Sequence, residues 1–225
     1  MKLTTLLHLC DSLFPIGSFG YSDGLETATA CGAIASVDDL RAWLDVCLDE
    51  TIARTEGPAI RLARHAIDGG DWDELIAIDE DVTALRPASS VRRSSRAMGQ
   101  RLVTTWQRLH PDVRLETLRS LMTAGRAGPT LPVAFAAASL CAGAEVTSSI
   151  EAFAYTRLTA TISAAMRLMA IGQTDAHALL ARTLDRVPAV VQDIIDRDAR
   201  IESFAPAMDI AVMTHQYVHS RLFRS

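Results

Sequence analysis

The chain has 225 residues, 49% of them hydrophobic and 22% charged, which is ample for a buried core. Its net charge of −5 argues against a general nucleic-acid binder. Aromatic residues are only 5% amid abundant Ala, Leu, Ile, Val and Arg, so the composition leans to an all-α fold.

Residues 2–12 are expected to form a short helix that runs into FPIGSFGYSDGLE, residues 14–26. Three glycines, a proline and three aromatic residues in so short a stretch imply a sharp turn, with positive φ open to each glycine. Phe14, Phe19 and Tyr21 would anchor that turn to the core or to a partner, since aromatics suit both. A second short helix is expected from Ser22–Asp23 to Gly32.

Ser36 and Asp39 form a capping-box pattern that opens a long helix through Leu40, Leu44, Cys47 and Leu48. Gly57–Pro58 is expected to bend or split it, and Gly69–Gly70 to end it. Asp71 caps the next helix, with Leu75, Ile78, Val82 and Leu85 on one face, and Pro87 breaks it. An arginine-rich helix follows from Ser89 to Leu109, carrying Met98, Leu102 and Trp106. After Pro111 a further helix runs through Leu115, Leu118 and Leu121 to Gly125.

The longest uncharged run, AGPTLPVAFAAASLCAGA at 127–144, contains Pro129 and Pro132 and makes a poor membrane span. A helix buried on most sides is the expectation. Thr147 and Glu151 open a strong helix to about Ala170, ended by Gly172. Thr174 or Asp175 caps the next, and Pro188 and Pro206 lie near the starts of the last two. No segment has the two-residue alternation of a half-buried strand. The expectation is one all-helical domain over residues 1–225, a bundle of roughly eight to ten helices.

Charge is unevenly distributed. From Asp38 to Asp81 there are thirteen acids against four arginines, whereas residues 82–111 hold six arginines and no acid. The arginines are Arg86, Arg92, Arg93, Arg96, Arg101 and Arg108. Solvated helix faces, or two faces of opposite potential, would both fit. The four cysteines, Cys10, Cys31, Cys47 and Cys141, lack C-x-x-C spacing and sit in apolar surroundings. They are expected to be reduced, buried thiols in a cytoplasmic protein. MKLTTLLHLC is interrupted by Thr4, Thr5 and His8, with no small-residue cleavage site after it, and is not expected to be a signal peptide.

The catalytic motifs are missing. Gly17, Gly20 and Gly24 are not followed by the lysine of a phosphate loop, the only lysine being Lys2. Nothing reads G-x-S-x-G. The tail, MTHQYVHSRLFRS at 213–225, is the most provocative stretch. His215 and His219, four apart, would share a helix face as in zinc motifs, but Gln216 cannot serve as a general base and no third ligand is evident. The pair are weak metal candidates only. Tyr217, Arg221, Leu222, Phe223 and Arg224 are the residue types of interface hot spots, so the tail reads as a docking segment, with packing on its own core as the competitor.

FPIGSFGYSDGLE, GQTDAHALL at 172–180 and the ending SRLFRS together resemble the urease accessory protein F family, as does RAMGQRL at 96–102. The three main matches span nearly the whole chain in order. Departures from the family's pattern occur at Thr130, Ala136, His177 and Gln216. The resemblance implies an all-α, cytoplasmic homodimer that is not an enzyme and holds no tightly bound cofactor, membrane or nucleic acid. It further implies that the protein joins accessory protein D (H in some bacteria), recruits the GTPase accessory protein G, and acts on apo-urease while nickel transits the complex. The partner-binding residues so implied are Phe14, Phe19, Tyr21, Tyr217, Ser220, Arg221, Leu222, Phe223 and Arg224, with Arg221 needed to recruit the GTPase. Two alternatives stay open: a small helical metal enzyme using His215 and His219, and a nucleic-acid-binding regulator using the arginines of 86–108.

Overall fold

A computed structural model describes residues 2–224. Among them the regular structure is helical, with no strand. The α-helices are α1 (Leu3–Leu9), α2 (Leu25–Ala30), α3 (Val37–Val46), α4 (Gly57–Gly69), α5 (Trp72–Ala84) and α6 (Ser89–Leu109). They continue with α7 (Val113–Thr123), α8 (Leu131–Cys141), α9 (Val146–Leu168), α10 (Gln173–Leu184), α11 (Val187–Asp196) and α12 (Pro206–Thr214). A π-helical segment, Cys47–Glu56, joins α3 to α4 without a break. With that continuous rod taken as one helix and the six-residue α2 set aside, ten helices remain, within the expected range. No helix among the described residues is long and apolar enough to cross a membrane.

The fold is built around α8. Every residue from Leu131 to Ser139 is buried, because a helix uncharged on all sides has no face to offer water. Helices α4, α6, α7 and α9 pack around it. The closest approach is made by α6 at Gly99, where a β-carbon would stand 2.1 Å from the Pro129 carbonyl oxygen and 2.9 Å from the Thr130 backbone. Only glycine leaves room for backbones that near. The exposed donors at the start of α8 are met by side chains of neighbouring helices. Thr130 donates both its N–H and its hydroxyl to Asp79 Oδ1 at 2.7 Å, and the Leu131 N–H donates to Ser95 Oγ at 3.0 Å. Burial raises the pKa of Asp79, and the two Thr130 donors pull it back.

Local side-chain caps start three of the helices, α3, α5 and α7. The Ser36–Asp39 capping box is present, with the Asp39 N–H on Ser36 Oγ at 3.1 Å and the Ser36 N–H on Asp39 Oδ2 at 2.9 Å. Asp71 caps α5 by accepting the Glu74 N–H at 3.0 Å. At α10 the expectation needs correcting: the N-cap position is Gly172, and Thr174 and Asp175 lie inside the helix. Gly57–Pro58 leaves the long helix continuous and changes only its winding. Pro58 has no N–H to give the carbonyls within its reach, those of Ala53 and Arg54. Ala53 accepts from the Arg197 guanidinium instead, and Arg54 from the Glu202 N–H at 2.9 Å. Arg61 adds bonds to the Ile194 and Arg197 carbonyls, both at 2.8 Å, so the chain leaving α11 is fastened along the rod.

The cysteines depart from the expectation of four buried thiols: Cys47 is buried, whereas Cys10 and Cys141 are half-buried. Burial pushes the thiols of Cys10, Cys47 and Cys141 up to about 12. Cys31, by contrast, is exposed at the C-terminal end of α2, beside Gly32, where the helix stops. At about pH 8 one thiol per chain should therefore react quickly with Ellman's reagent, and Cys31→Ser should abolish that phase. A second equally fast thiol, located by peptide mapping, would contradict the lesser exposure of the other three.

Candidate docking site

The glycine-rich stretch and the tail, at opposite ends of the sequence, meet in the fold. Gly17 (φ 82°) and Gly24 (φ 89°) take left-handed conformations, and Asp23 (φ 49°) does too, alone among the described non-glycine residues. Gly20 does not, so the turn is made by Gly17 and by the Asp23–Gly24 pair, with a single 3₁₀ turn at Ser18–Gly20 between them. At Gly24 a β-carbon would stand 3.0 Å from Val212 and 3.1 Å from Ala211, so α12 lies directly against the turn.

Asp23 is held by Arg157 of α9 at 2.7 Å. The same guanidinium reaches Glu56 Oε2 at 3.4 Å, and Glu56 Oε1 accepts from Arg86 at 2.9 Å. Burial works against the charge of Arg157, but Asp23 and Glu56 hold its pKa above the ordinary value. Two arginines and two carboxylates thus tie the turn to α9 and to the rod.

Glu26, in the first turn of α2, fastens the tail. Its side chain is only 4% exposed. The carboxylate accepts the Leu222 N–H at 2.5 Å, the Phe223 N–H at 3.2 Å and His215 Nε2 at 2.7 Å. Beside it the Arg224 N–H donates to the Gly20 carbonyl at 2.7 Å. The Arg167 guanidinium lies 4.4 Å from the Phe223 ring centre and donates to the Phe19 carbonyl at 3.3 Å. Beneath the knot is a largely apolar cavity of about 280 Å³ whose walls include Phe14, Tyr21, Phe153, Met166 and Phe223.

The residues singled out from the sequence fall into two groups. Phe14 and Phe223 are buried, and Phe14 packs against Trp106 with ring centres 5.7 Å apart. Tyr21 is half-buried against the core. Phe19, Tyr217, Ser220, Arg221, Leu222 and the Arg224 side chain are exposed. The tail therefore packs on its own chain through some residues and shows others to solvent. Glu26 escaped the sequence reading, although it is the sole acid besides Asp23 in the glycine-rich stretch.

The histidine pair is not on one helix face. α12 ends at Thr214 and His215–Tyr217 is a 3₁₀ turn, so His215 points inward to Glu26 while His219 is exposed. Among the described residues no three His, Cys, Asp or Glu side chains gather to hold a metal. Of the other departures from the family pattern, Thr130 is bonded to Asp79, Ala136 is fully buried in α8, and His177 and Gln216 are exposed. The arginines of 86–108 are mostly committed within the fold. Arg86 pairs with Glu56, Arg92 donates to the Arg86 and Pro87 carbonyls, Arg96 to Thr83 Oγ1 and Arg101 to the Ile16 carbonyl. Of these only Arg86, which precedes α6, bonds a carboxylate among the described residues, and Arg93, Arg101 and Arg108 are exposed.

A family model described as UreF matches residues 34–184. Among curated relatives, a urease accessory protein UreF from Azoarcus sp. (strain BH72) is 30% identical over 226 residues, covering 100% of this chain and 96% of the relative. The protein of that name from Nitrosococcus oceani is 30% identical over 225 residues, covering 100% of this chain and 99% of the relative. One from Lachnoclostridium phytofermentans is 28% identical over 223 residues, with 98% and 97% covered.

Proposed function

The chain belongs to the UreF family of urease accessory proteins, and from that premise we propose that it is a maturation factor without catalysis of its own. It bridges accessory protein D (H in some bacteria) and the GTPase accessory protein G on apo-urease, in the cytoplasm and as a homodimer. In that assembly it governs when the GTPase acts and helps route nickel, which passes through as cargo.

The anchored tail is the observation that carries this reading. His215, Phe223 and the Arg224 backbone are fixed to the body, while Tyr217, Ser220, Arg221 and Leu222 face solvent. Side chains of these types on a loop already ordered give a protein partner a surface with little further ordering cost. Phe19 extends that surface from the glycine-rich stretch, and Tyr21, Phe14 and Phe223 brace it from below. A shallow groove between α2, α3 and α12, lined in part by Trp43, Ile210 and Tyr217, continues it.

Arg221 is the residue assigned to GTPase recruitment, since an exposed guanidinium can take a partner carboxylate through two bonds. In co-purification with accessory proteins D and G, Arg221→Ala should keep its helix content and its hold on D. Recovery of G should fall about tenfold or more. Undiminished recovery of G would overturn the assignment. Ending the chain at Met213 is a poorer experiment, because it also removes the buried His215 and Phe223.

A further inference from the structure

We infer that Glu26 is the positioning residue of the tail: its buried carboxylate sets the geometry in which Arg221 and Leu222 are displayed. The inference rests on reading the tail as the docking element, and it concerns a residue that itself faces no partner.

The argument is geometric. One carboxylate takes donors from two separated points of the tail, His215 at one end of a short loop and Leu222 and Phe223 at the other. Residues 216–221 therefore form a closed loop whose two ends are pinned to a single side chain. A carboxylate has about four acceptor positions, and three are filled here, so little freedom remains in how the ends are held. With the Leu222 N–H turned in toward Glu26, the side chain of Leu222 is turned out and is 60% exposed. Phe223, next in the chain, faces the core and is capped by Arg167. Within the loop, the Val218 N–H donates to the His215 carbonyl at 3.1 Å, which continues the turn from the same anchor. The Arg224 N–H on Gly20 adds a second tie between the tail and the glycine-rich stretch. Glu26 is reached from that stretch only after the Asp23–Gly24 turn, so the turn also fixes where the carboxylate stands.

Glu26→Gln keeps the shape and one acceptor oxygen, whereas Glu26→Ala removes all three contacts. Two measurements on the full chain test the inference: the rate of tryptic cleavage after Arg221, and the dissociation constant for accessory protein D. For Glu26→Ala, cleavage should speed up about tenfold or more, and binding should weaken about tenfold, with helix content retained. Glu26→Gln should fall between Ala and the parent in both, with cleavage elsewhere in the chain unchanged, which a purely structural role would not produce. Should Glu26→Ala fail to fold, Glu26→Gln decides alone. Cleavage no faster than in the parent would overturn the inference. So would unaltered affinity in the Glu26 variants when Tyr217→Ala combined with Leu222→Ala weakens binding of D. If that double variant binds D normally, the docking reading fails, and the cleavage rates still judge whether Glu26 holds the tail.

Discussion

Gly99→Ala should lower the melting temperature by about 6–12 °C. The added carbon would lie 2.1 Å from a backbone oxygen at the start of α8. The neighbour is main chain, so no side chain can swing aside to relieve the contact. Overpacking of a core costs about 1–3 kcal/mol, and a collision with backbone belongs at the top of that range. For a chain of this length each kcal/mol moves the midpoint by about 2–4 °C. Yielding would mean separating α6 from α8 and lengthening the bonds that Asp79 and Ser95 make to Thr130 and Leu131. Gly69→Ala is the control, since nothing lies within 4 Å of a β-carbon there and φ is ordinary. Calorimetry should find that variant close to the parent. A fall of less than about 2 °C for Gly99→Ala would mean that the two helices part cheaply.

Arg157→Met should cost about 3 kcal/mol or more in urea denaturation. Removing one partner of a buried ion pair leaves the other charge without compensation, at about 3–5 kcal/mol. The side chain of Glu56 is 5% exposed and keeps Arg86, whereas that of Asp23 is 27% exposed and would regain some water. The lower end of the range is therefore the expectation. Lysine should not restore the loss, because one ammonium cannot span two carboxylates as a guanidinium does. The loss should shrink when Glu56→Gln is combined with Arg157→Met, giving a coupling of about 1 kcal/mol or more. Additive losses would show that the two groups do not act together. The variant should also loosen the Asp23–Gly24 turn, because the left-handed aspartate loses the partner that holds it there.

Where a few adjacent residues decide the outcome, the sequence was readable. Ser36–Asp39 and Asp71 act within their own turns, and the uncharged run of α8 could only be buried. The site was half-readable. The glycine-rich stretch and the tail both stood out by composition, but nothing in either indicated that they touch. Their meeting depends on α9 and α12, which bring Arg167 and His215 to the same place from distant parts of the chain. Phe14 and Phe223 drew attention as aromatics, and composition cannot tell an aromatic that faces a partner from one that faces the core. The four-residue spacing of His215 and His219 suggested a shared face, a reading that fails because the helix stops one residue before the first of them. Nothing in the sequence singled out Glu26. Its role follows only from which donors the fold delivers to it.

Pro58 shows how a residue that subtracts from a helix can add to a tertiary structure. Its one missing N–H falls where the winding of the rod changes, and there the Ala53 and Arg54 carbonyls accept from Arg197 and from the Glu202 N–H. A bond between near neighbours in sequence has been exchanged for bonds across about 140 residues. Such an exchange makes that stretch of the rod reliant on the rest of the chain. The segment leading into α12, and through it the seat of Gly24, depends in turn on a proline that seemed suited only to break a helix.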